Sequence, residues 1–394
     1  GVDLMKAAIE VSLGQEPGNL EPVFNRVAIE RAVICKPGIV KSISGLEEAL
    51  KVPGIDGIFL NIKEGDLVVM PRSNVEKSGN IIASGNTLTE AEDAIARCFE
   101  LLKIETTDDS EITMRAIQAS AREKFKKICY VCKNCDGTNC ASGVPGMGGA
   151  GTGESFRRNS EALKKYRVIT RLIYEAAEPD TATEIFGRKI SLPVMAAPIT
   201  GSVTNLGGAI DELDYNIAVV KGCKKAGTIA FVGDGATPDK YKTGLQAIEE
   251  EDGWGIPIFK PRMDNKEIIM RIKAAEKAGA IAAGIDIDAI VFKTMAMKNQ
   301  SVGPKSVSEL QEIKSAAKLP FILKGLMNPY DAEMAVKAGA DAIIVSNHGG
   351  RVLDQMPGSM DVLEEIVKAV GGSVKIMIDG GFRDGVDIIK AMGL

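Results

Sequence analysis

The sequence predicts an α/β protein, a parallel TIM-type (β/α)8 barrel preceded by a small α+β unit, and three observations carry that reading. From residue 192 onward, short apolar runs alternate with helical segments: LPVMAAP, GTIAFVG, PIFKPRM, AIAAGIDID, PFILKGL, AIIVSNH and VKIMIDGG. Strands buried on both faces read as such continuous apolar runs, and their alternation with helices implies a parallel sheet. The runs number seven, whereas a closed barrel needs eight strands. The text therefore fits either an open doubly wound sheet or a barrel whose last βα unit lies beyond Leu394. The stop inside the helical text DGVDIIKAMGL favours the barrel, and Gly1 rather than Met opens the chain, so both ends read as cuts. The length of 394 residues also exceeds the roughly 150 residues of one ordinary domain.

Residues 1–106 form the α+β unit. VDLMKAAIEVSLG reads as an amphipathic helix closed by Gly14, a residue favoured where a helix stops. RVAIERAVIC, GIFLNI, DLVVMP and GNIIASG are strand candidates between Pro and Gly turns, and TEAEDAIARCFELLKI, entered through Thr87 and Thr89, is a second helix. Residues 107–185 form a linker and leader: polar ETTDDSE marks the joint, ITMRAIQASAREKFKKI reads as a helix, and a cysteine-rich and a glycine-rich stretch follow. Residues 186–394 are the barrel, with helices such as NKEIIMRIKAAEKAG, SVSELQEIKSAAK and DAEMAVKAGA between the strands.

Composition narrows the function. With 48 basic and 53 acidic residues the formal charge is −5, which argues against a protein that works by neutralising nucleic-acid phosphates or anionic lipid. No apolar run approaches the roughly 20 residues of a membrane helix, and no basic-then-apolar segment opens the chain as a signal would, so the expected location is the cytoplasm. There is one histidine, His348, so any site that needs two imidazoles is excluded.

In a barrel the active groups gather at the carboxyl ends of strands. Those ends carry Thr200, Asp234, Lys260 with Arg262, Asp286 with Asp288, Lys324, His348 with Arg351 and Asp354, and Asp379 with Arg383. VSNHGGRVLDQMPG is the most informative segment. Its histidine can exchange a proton near neutrality, and its arginine offers a planar fork that matches a carboxylate. The paired glycines Gly349 and Gly350 let backbone approach a ligand. Base and carboxylate clamp together suggest a small carboxylic acid that loses a proton.

From LPFILKGLMNPYDAEMAVKAGADAIIVSNHGGRVLDQMPGSMDVLEEI to IMIDGGFRDGVDIIKAMGL, the chain closely resembles the FMN-dependent α-hydroxy acid dehydrogenases and oxidases, the group of glycolate oxidase and lactate oxidase. The match is specific over residues 319–394 and continues more weakly back to about residue 186. The resemblance implies a barrel with FMN across the strand ends and oxidation of a small 2-hydroxy acid by hydride transfer to flavin, the electron acceptor being unidentified and a homo-oligomer expected. The family signature S-N-H-G-G-R-Q-L-D is kept except at Val352. Carried over, His348 would be the base, Arg351 the carboxylate clamp and Asp288 the partner that orients His348. Ser346 and Gly349 of the signature would face the cofactor. Lys324 would lie beside the flavin pyrimidine, Asp379, Gly380, Gly381 and Arg383 on the ribityl chain and phosphate, and the backbone of Ala197, Pro198, Ile199 and Thr200 against the ring.

The same comparison shows departures. Lys260 stands where the family's Q-x-Y has its amide, and the substrate-facing tyrosine is missing. Asp286 takes the threonine of T-V-D, and both positions are expected on the cofactor side. No second substrate arginine follows the fourth strand. These differences leave as alternatives a redox-neutral flavin enzyme resembling type 2 isopentenyl diphosphate isomerase, or a non-catalytic flavin-binding sensor or scaffold.

Two further stretches carry their own expectations. Cys129, Cys132, Cys135 and Cys140 form C-x2-C-x2-C-x4-C, enough thiolates for a zinc ion or an iron–sulfur cluster. The other three cysteines read as inert core thiols. The run SGVPGMGGAGTGESF holds a G-x-G-x-x-G at Gly146, Gly148 and Gly151, but no strand precedes it, so it reads as a flexible segment over the barrel mouth rather than a dinucleotide fingerprint. Residues 1–104 resemble the end of an ATP-grasp ligase domain, without the acidic metal ligands that lie upstream in that family.

Overall fold

The structure is a computed structural model that describes residues 4–21, 26–68, 71, 74, 77–106, 118, 121–132, 134–142, 147–175 and 178–394. Its internal contacts divide the chain into Gly1–Ser120 and Ala121–Leu394. Residues 107–117, which hold most of the expected linker and the start of the expected helix at 112–128, lie outside the described residues, as does Gly146.

The first unit contains α1 (Leu4–Ser12), β1 (Val27–Val33), β2 (Gly38–Ser44), α2 (Leu46–Leu50), β3 (Ile55–Leu60), β4 (Leu67–Val68), β5 (Gly79–Gly85), α3 (Leu88–Leu101) and β6 (Lys103–Thr106). Its strands form two three-stranded sheets, in the orders β1-β5-β3 and β4-β2-β6. Helix α3 starts where the Thr87 side chain accepts the Glu90 N–H, and it buries Ala91, Ala94, Ile95 and Cys98, the i, i+3, i+4, i+7 stripe of an amphipathic helix. Two strands depart from the sequence expectation. Lys103 and Ile104, read as the end of the helix, instead pair antiparallel with Ser44 and Ile43 of β2, a strand the polar text KSIS concealed. Cross-strand pairing overrides local propensity at this helix end.

The second unit is the barrel with its leader. Helix α4 (Glu154–Lys165) precedes the hairpin β7 (Thr183–Ile185) and β8 (Arg188–Ile190). Seven parallel strands then follow in unbroken order: β9 (Ala196–Ile199), β10 (Ala230–Gly233), β11 (Gly255–Phe259), β12 (Ala283–Asp286), β13 (Phe321–Leu326), β14 (Ala342–Val345) and β15 (Lys375–Ile378). The helices between them include α5 (Ser202–Asn205), α6 (Glu212–Lys225), α7 (Pro238–Glu250), α8 (Asn265–Lys277), α9 (Lys293–Met297), α10 (Val307–Ala316), α11 (Pro329–Lys337) and α12 (Ser359–Val370), and α13 (Gly385–Met392) follows β15. Each strand from β10 to β12 is buried along its whole length, as the continuous apolar runs predict. A groove of about 850 Å³ runs between the edge strands β9 and β15, lined by Ala197, Met377 and Met392 among others.

Two apolar layers hold the barrel. Inside, Ile185 and Ile190 of the hairpin pack with Phe231, Ile258, Ile322 and Ile344 of the strands, so the interior is filled and is not a pore. Outside, Val232, Phe259, Ile285, Leu323 and Val345 meet the helix residues Ile268, Ile272, Leu310, Leu363 and Ile366. Register then fixes the rim: Phe259 pairs with Ile285 and Asp286 with Lys324, so the polar residues at consecutive strand ends arrive at one level.

From Ala121 onward the leader falls in the same unit as the barrel. Ala150 N donates to Gly350 O at 2.8 Å, and Thr152 N and Glu154 N donate to the Asp354 carboxylate at 2.6 and 3.1 Å. These bonds dock the described part of the glycine run onto the segment after β14, where a flexible cover was expected.

Candidate active site

His348 follows β14 in a short 3-10 turn, His348–Gly350, in which three consecutive residues are left-handed, at φ 59, 64 and 71. Glycine adopts that conformation freely and histidine does not, so surrounding contacts must hold it. They do. The Asn347 side chain donates to Ser155 O and Pro357 O at 3.0 and 3.1 Å and accepts from Asn159 Nδ2 and Gly350 N at 2.9 and 3.2 Å. Asn159 and Ser155 lie on α4 and are buried, so the leader helix braces the turn from behind.

The imidazole meets a carboxylate. His348 Nδ1 lies 3.1 Å from both oxygens of Asp288, which follows β12. An Nδ1–H that donates to Asp288 leaves Nε2 as the accepting nitrogen. Phe292 packs on the imidazole with ring centroids 5.0 Å apart, and Lys260 Nζ and Arg351 Cζ lie over the same ring at 4.8 and 4.9 Å from its centroid. Burial brings the Arg351 guanidinium down to about 10, with Asp286 opposing, so it stays charged at neutral pH.

Beneath the imidazole lies a chain of buried charges. Lys260 Nζ donates to Asp286 Oδ2 at 2.8 Å, and Lys324 Nζ stands 3.7 Å from Asp286 Oδ1 and 3.2 Å from Asp379 Oδ2. Lys324 also donates to Ser346 Oγ at 2.8 Å, which accepts the His348 N–H at 3.0 Å, so Ser346 ties the lysine to the histidine turn. Burial pushes the Asp286 carboxyl up, but the charges of Lys260, His348 and Lys324 outweigh it and hold the group well below the usual carboxylate range. Burial likewise pulls the Lys324 ammonium down, and Asp379, Asp286 and Asp288 outweigh it and carry it above the ordinary lysine range. Both are therefore ions in a dry site.

The structure thus brings together His348, Asp288, Arg351, Lys260, Asp286, Lys324, Ser346 and Asp379. Gly349 and Gly350 form the turn, and Gly380 and Gly381, at φ 105 and 86, follow Asp379 where an added Cβ would strike Asn159. Ala197, Pro198 and Ile199 lie on β9. Thr200 follows, its Oγ1 buried without a hydrogen-bond partner among the described residues. Arg383 is placed apart from this group: its Nη1 donates to Phe382 O at 2.8 Å and its Nη2 to Cys135 O at 3.5 Å. Asp234 and Arg262, also read at strand ends, are tied to each other at 3.5 Å, and Asp234 accepts the Lys260 N–H at 3.0 Å.

Sequence reasoning missed Phe292 and the Asn159–Asn347 bond. A polar Asn159 on the buried stripe of α4 is the one signal that marked the latter. Among the described residues, Asp286, Asp288 and His348 are the histidine, cysteine and acidic groups whose ligand atoms all lie within 4.8 Å of one another. The four leader cysteines do not form such a set. Burial, then the charges of Cys129, Cys135 and Cys132, push the Cys140 thiol up to about 11.

Residues 146–306 and 293–394 match the FMN-dependent dehydrogenases. The chain belongs to the FMN-dependent dehydrogenase family. A 2-hydroxyacid oxidase of Dictyostelium discoideum is 31% identical over 272 residues, which cover 60% of this chain and 68% of that protein. An L-lactate oxidase of Lactobacillus jensenii is 27% identical, over 61% of this chain and 64% of its own length. Among solved structures, mandelate oxidase with (S)-2-phenylpropionate shares 26% identity, with a TM-score of 0.53, over 71% of this chain and 81% of that one. Residues 32–107 match the L-amino acid ligase C-terminal domain 2, in keeping with the ligase resemblance of residues 1–104. As a member of an FMN-dependent dehydrogenase family, the chain is a flavoenzyme, and the rim suits that cofactor. The buried Lys324 ammonium can face a ring that gains negative charge, and the unpartnered Thr200 Oγ1 offers a hydrogen bond.

Proposed function

We propose that this flavoenzyme oxidises a small 2-hydroxy acid. FMN, when bound, supplies the hydride acceptor. Arg351 binds the substrate carboxylate through its fork and orients the carbinol towards His348. His348 Nε2 takes the hydroxyl proton, and Asp288 holds Nδ1–H and stabilises the imidazolium that results. Lys324 would hold the flavin pyrimidine, with Lys260 and Asp286 behind it. Asp379, Gly380, Gly381 and Arg383 would hold the ribityl chain and phosphate, and the β9 backbone from Ala197 to Thr200 would face the ring, with Ser346 and Gly349 beside it.

The observation that carries this reading is the His348–Asp288 contact at 3.1 Å beside an arginine that packs on the same Phe292 ring. Relatives named as oxidases support oxidation over the redox-neutral and scaffold alternatives. The test is anaerobic stopped-flow bleaching of the flavin by 2-hydroxy acids. His348→Ala should slow reduction by about 10²–10⁴-fold with FMN still bound, and bleaching at the wild-type rate would refute the base assignment.

Cys129, Cys132, Cys135 and Cys140 are proposed to bind a metal through sulfur alone. Val131 N donates to Cys129 Sγ at 3.4 Å and Asn139 Nδ2 to Cys132 Sγ at 3.2 Å, the N–H···S pattern that suits thiolate ligands. Metal analysis of anaerobically purified protein tests this. The seven free thiols support a reducing compartment, the cytoplasm.

A further inference from the structure

The glycine run and the cysteine loop are one packed object. Gly148 N donates to Cys140 O at 3.2 Å and Ser142 N to Gly149 O at 3.1 Å, so the last cysteine turn and the glycine run form a short ladder. A Cβ on Gly148 would lie 2.6 Å from both Ala141 N and Gly137 O, closer than real Cβ contacts come. One residue later the same strand of contacts reaches the histidine turn. Ala150 N bonds Gly350 O at 2.8 Å, and a Cβ on Gly350 would lie 2.6 Å from Phe156 N. On its other side the loop touches the flavin end of the barrel through Cys135 O and Arg383 Nη2 at 3.5 Å. Glycine at these positions lets backbone meet backbone, which is a different use from cradling a dinucleotide.

We propose that Cys129, Cys132, Cys135 and Cys140 hold an iron–sulfur cluster that works as a latch on the proposed base: its presence orders the cysteine loop, and the loop, through Gly148–Ala150, keeps His348 in its left-handed turn. This rests on the metal reading of those cysteines. An iron–sulfur cluster can exchange single electrons with a flavin, which zinc cannot, and the loop reaches Arg383, placed at the proposed FMN phosphate, through Cys135 O at 3.5 Å. Metal binding by a loop of this kind is folding free energy for that loop. The coupling needs a contiguous route, and the Gly148–Cys140 and Ala150–Gly350 hydrogen bonds, joined by the chain from 148 to 150, supply one. His348 at φ 59 is the residue with most to lose when the brace loosens.

The experiment is hydrogen–deuterium exchange on the full chain, purified anaerobically with FMN, before and after iron is removed with a ferrous chelator. Iron and sulfide should be present in stoichiometric amounts. Their removal should raise exchange at least tenfold in residues 147–156 and in 346–356, while β11 stays protected as the control for global folding. Gly148→Ala should also loosen 346–356, because its Cβ would meet Ala141 N and Gly137 O at 2.6 Å and Cys140 C at 2.7 Å and so break the ladder at a distance from the histidine turn. Protein without stoichiometric metal would overturn the metal reading, and zinc without sulfide would overturn the cluster. Iron removal, or Gly148→Ala, that leaves 346–356 as protected as before would overturn the latch while the metal reading stands.

Discussion

On the β13–β15 side of the rim, Lys324 lies between Asp286 and Asp379 at 3.7 and 3.2 Å and donates to Ser346, so one buried cation serves several partners and stays available to a ligand above it. On the β10–β12 side, Lys260 is bonded to Asp286 at 2.8 Å and Arg262 is tied to Asp234 at 3.5 Å, each cation committed to a carboxylate of the protein. The first side keeps the family pattern and the second is where this chain departs from it. The difference lies in the buried ion pair of Lys260 and Asp286. Lys260 without Asp286 would be a buried cation without its counter-charge, whereas Asp286 without Lys260 would keep Lys324 at 3.7 Å.

That comparison can be broken first at Lys324. Lys324→Met takes from Asp379 its buried cation and leaves Asp286 with Lys260 alone, and breaking a buried pair in this way costs about 3–5 kcal/mol. Urea denaturation should show that loss in the flavin-loaded protein. Lys260→Met should cost less, about 3 kcal/mol, the low end of that range, because Asp286 keeps Lys324 at 3.7 Å. The double variant Lys260→Met with Asp286→Leu removes both charges and should return to within about 1 kcal/mol of wild type. A single lysine variant as stable as wild type would show that the buried carboxylates do not depend on that lysine for their counter-charge.

How much of this was legible depended on sequence distance. The seven strands and the rim level follow from apolar runs, since a strand delivers its terminal residue to the rim without help from elsewhere, and the His348–Asp288 partnership followed from the family resemblance. The brace was not legible, because the Asn159–Asn347 bond joins residues 188 apart and no local pattern marks such a pair. Phe292 was hidden for a related reason: in the text IVFKTM it is one apolar residue among others, and only tertiary packing brings His348, Lys260 and Arg351 around its ring. β2 was masked by the polar residues of its exposed face.

Phe292 gives a smaller effect that sharpens the same contrast, since its ring touches a cation from each side of the rim. Phe292→Leu keeps the apolar volume approximately and removes the ring, and each lost cation–π contact should cost about 0.5–2 kcal/mol. Lys260 is held by Asp286 without the ring, whereas Arg351 loses the face it rests on. The expected signature is therefore a raised KM for 2-hydroxy acid with little change in the unfolding midpoint. A large fall in stability with unchanged KM would mean that the ring serves the Lys260 side instead.

The smallest effect is expected at Asp354, on the leader contact rather than within the rim. Hydrogen bonds, foremost from Thr152 N and also from the Thr152 hydroxyl, Gln355 N and Glu154 N, outweigh burial and hold the Asp354 carboxyl below the usual carboxylate range. A carboxyl depressed in the folded state contributes stability above its unfolded pKa, and that contribution is lost as pH falls through the folded value. Asp354→Asn should therefore lower the melting temperature slightly at neutral pH, by less than either lysine variant. The gap between variant and wild type should narrow as pH falls below about 4, the ordinary carboxylate range, where both side chains are uncharged. Because the anion also faces the first N–H groups of α4, where negative charge is favoured, the residual gap at low pH measures hydrogen bonding alone. A gap that is independent of pH would assign the brace to Asn159 and Asn347 and leave the Asp354 charge without a part in it.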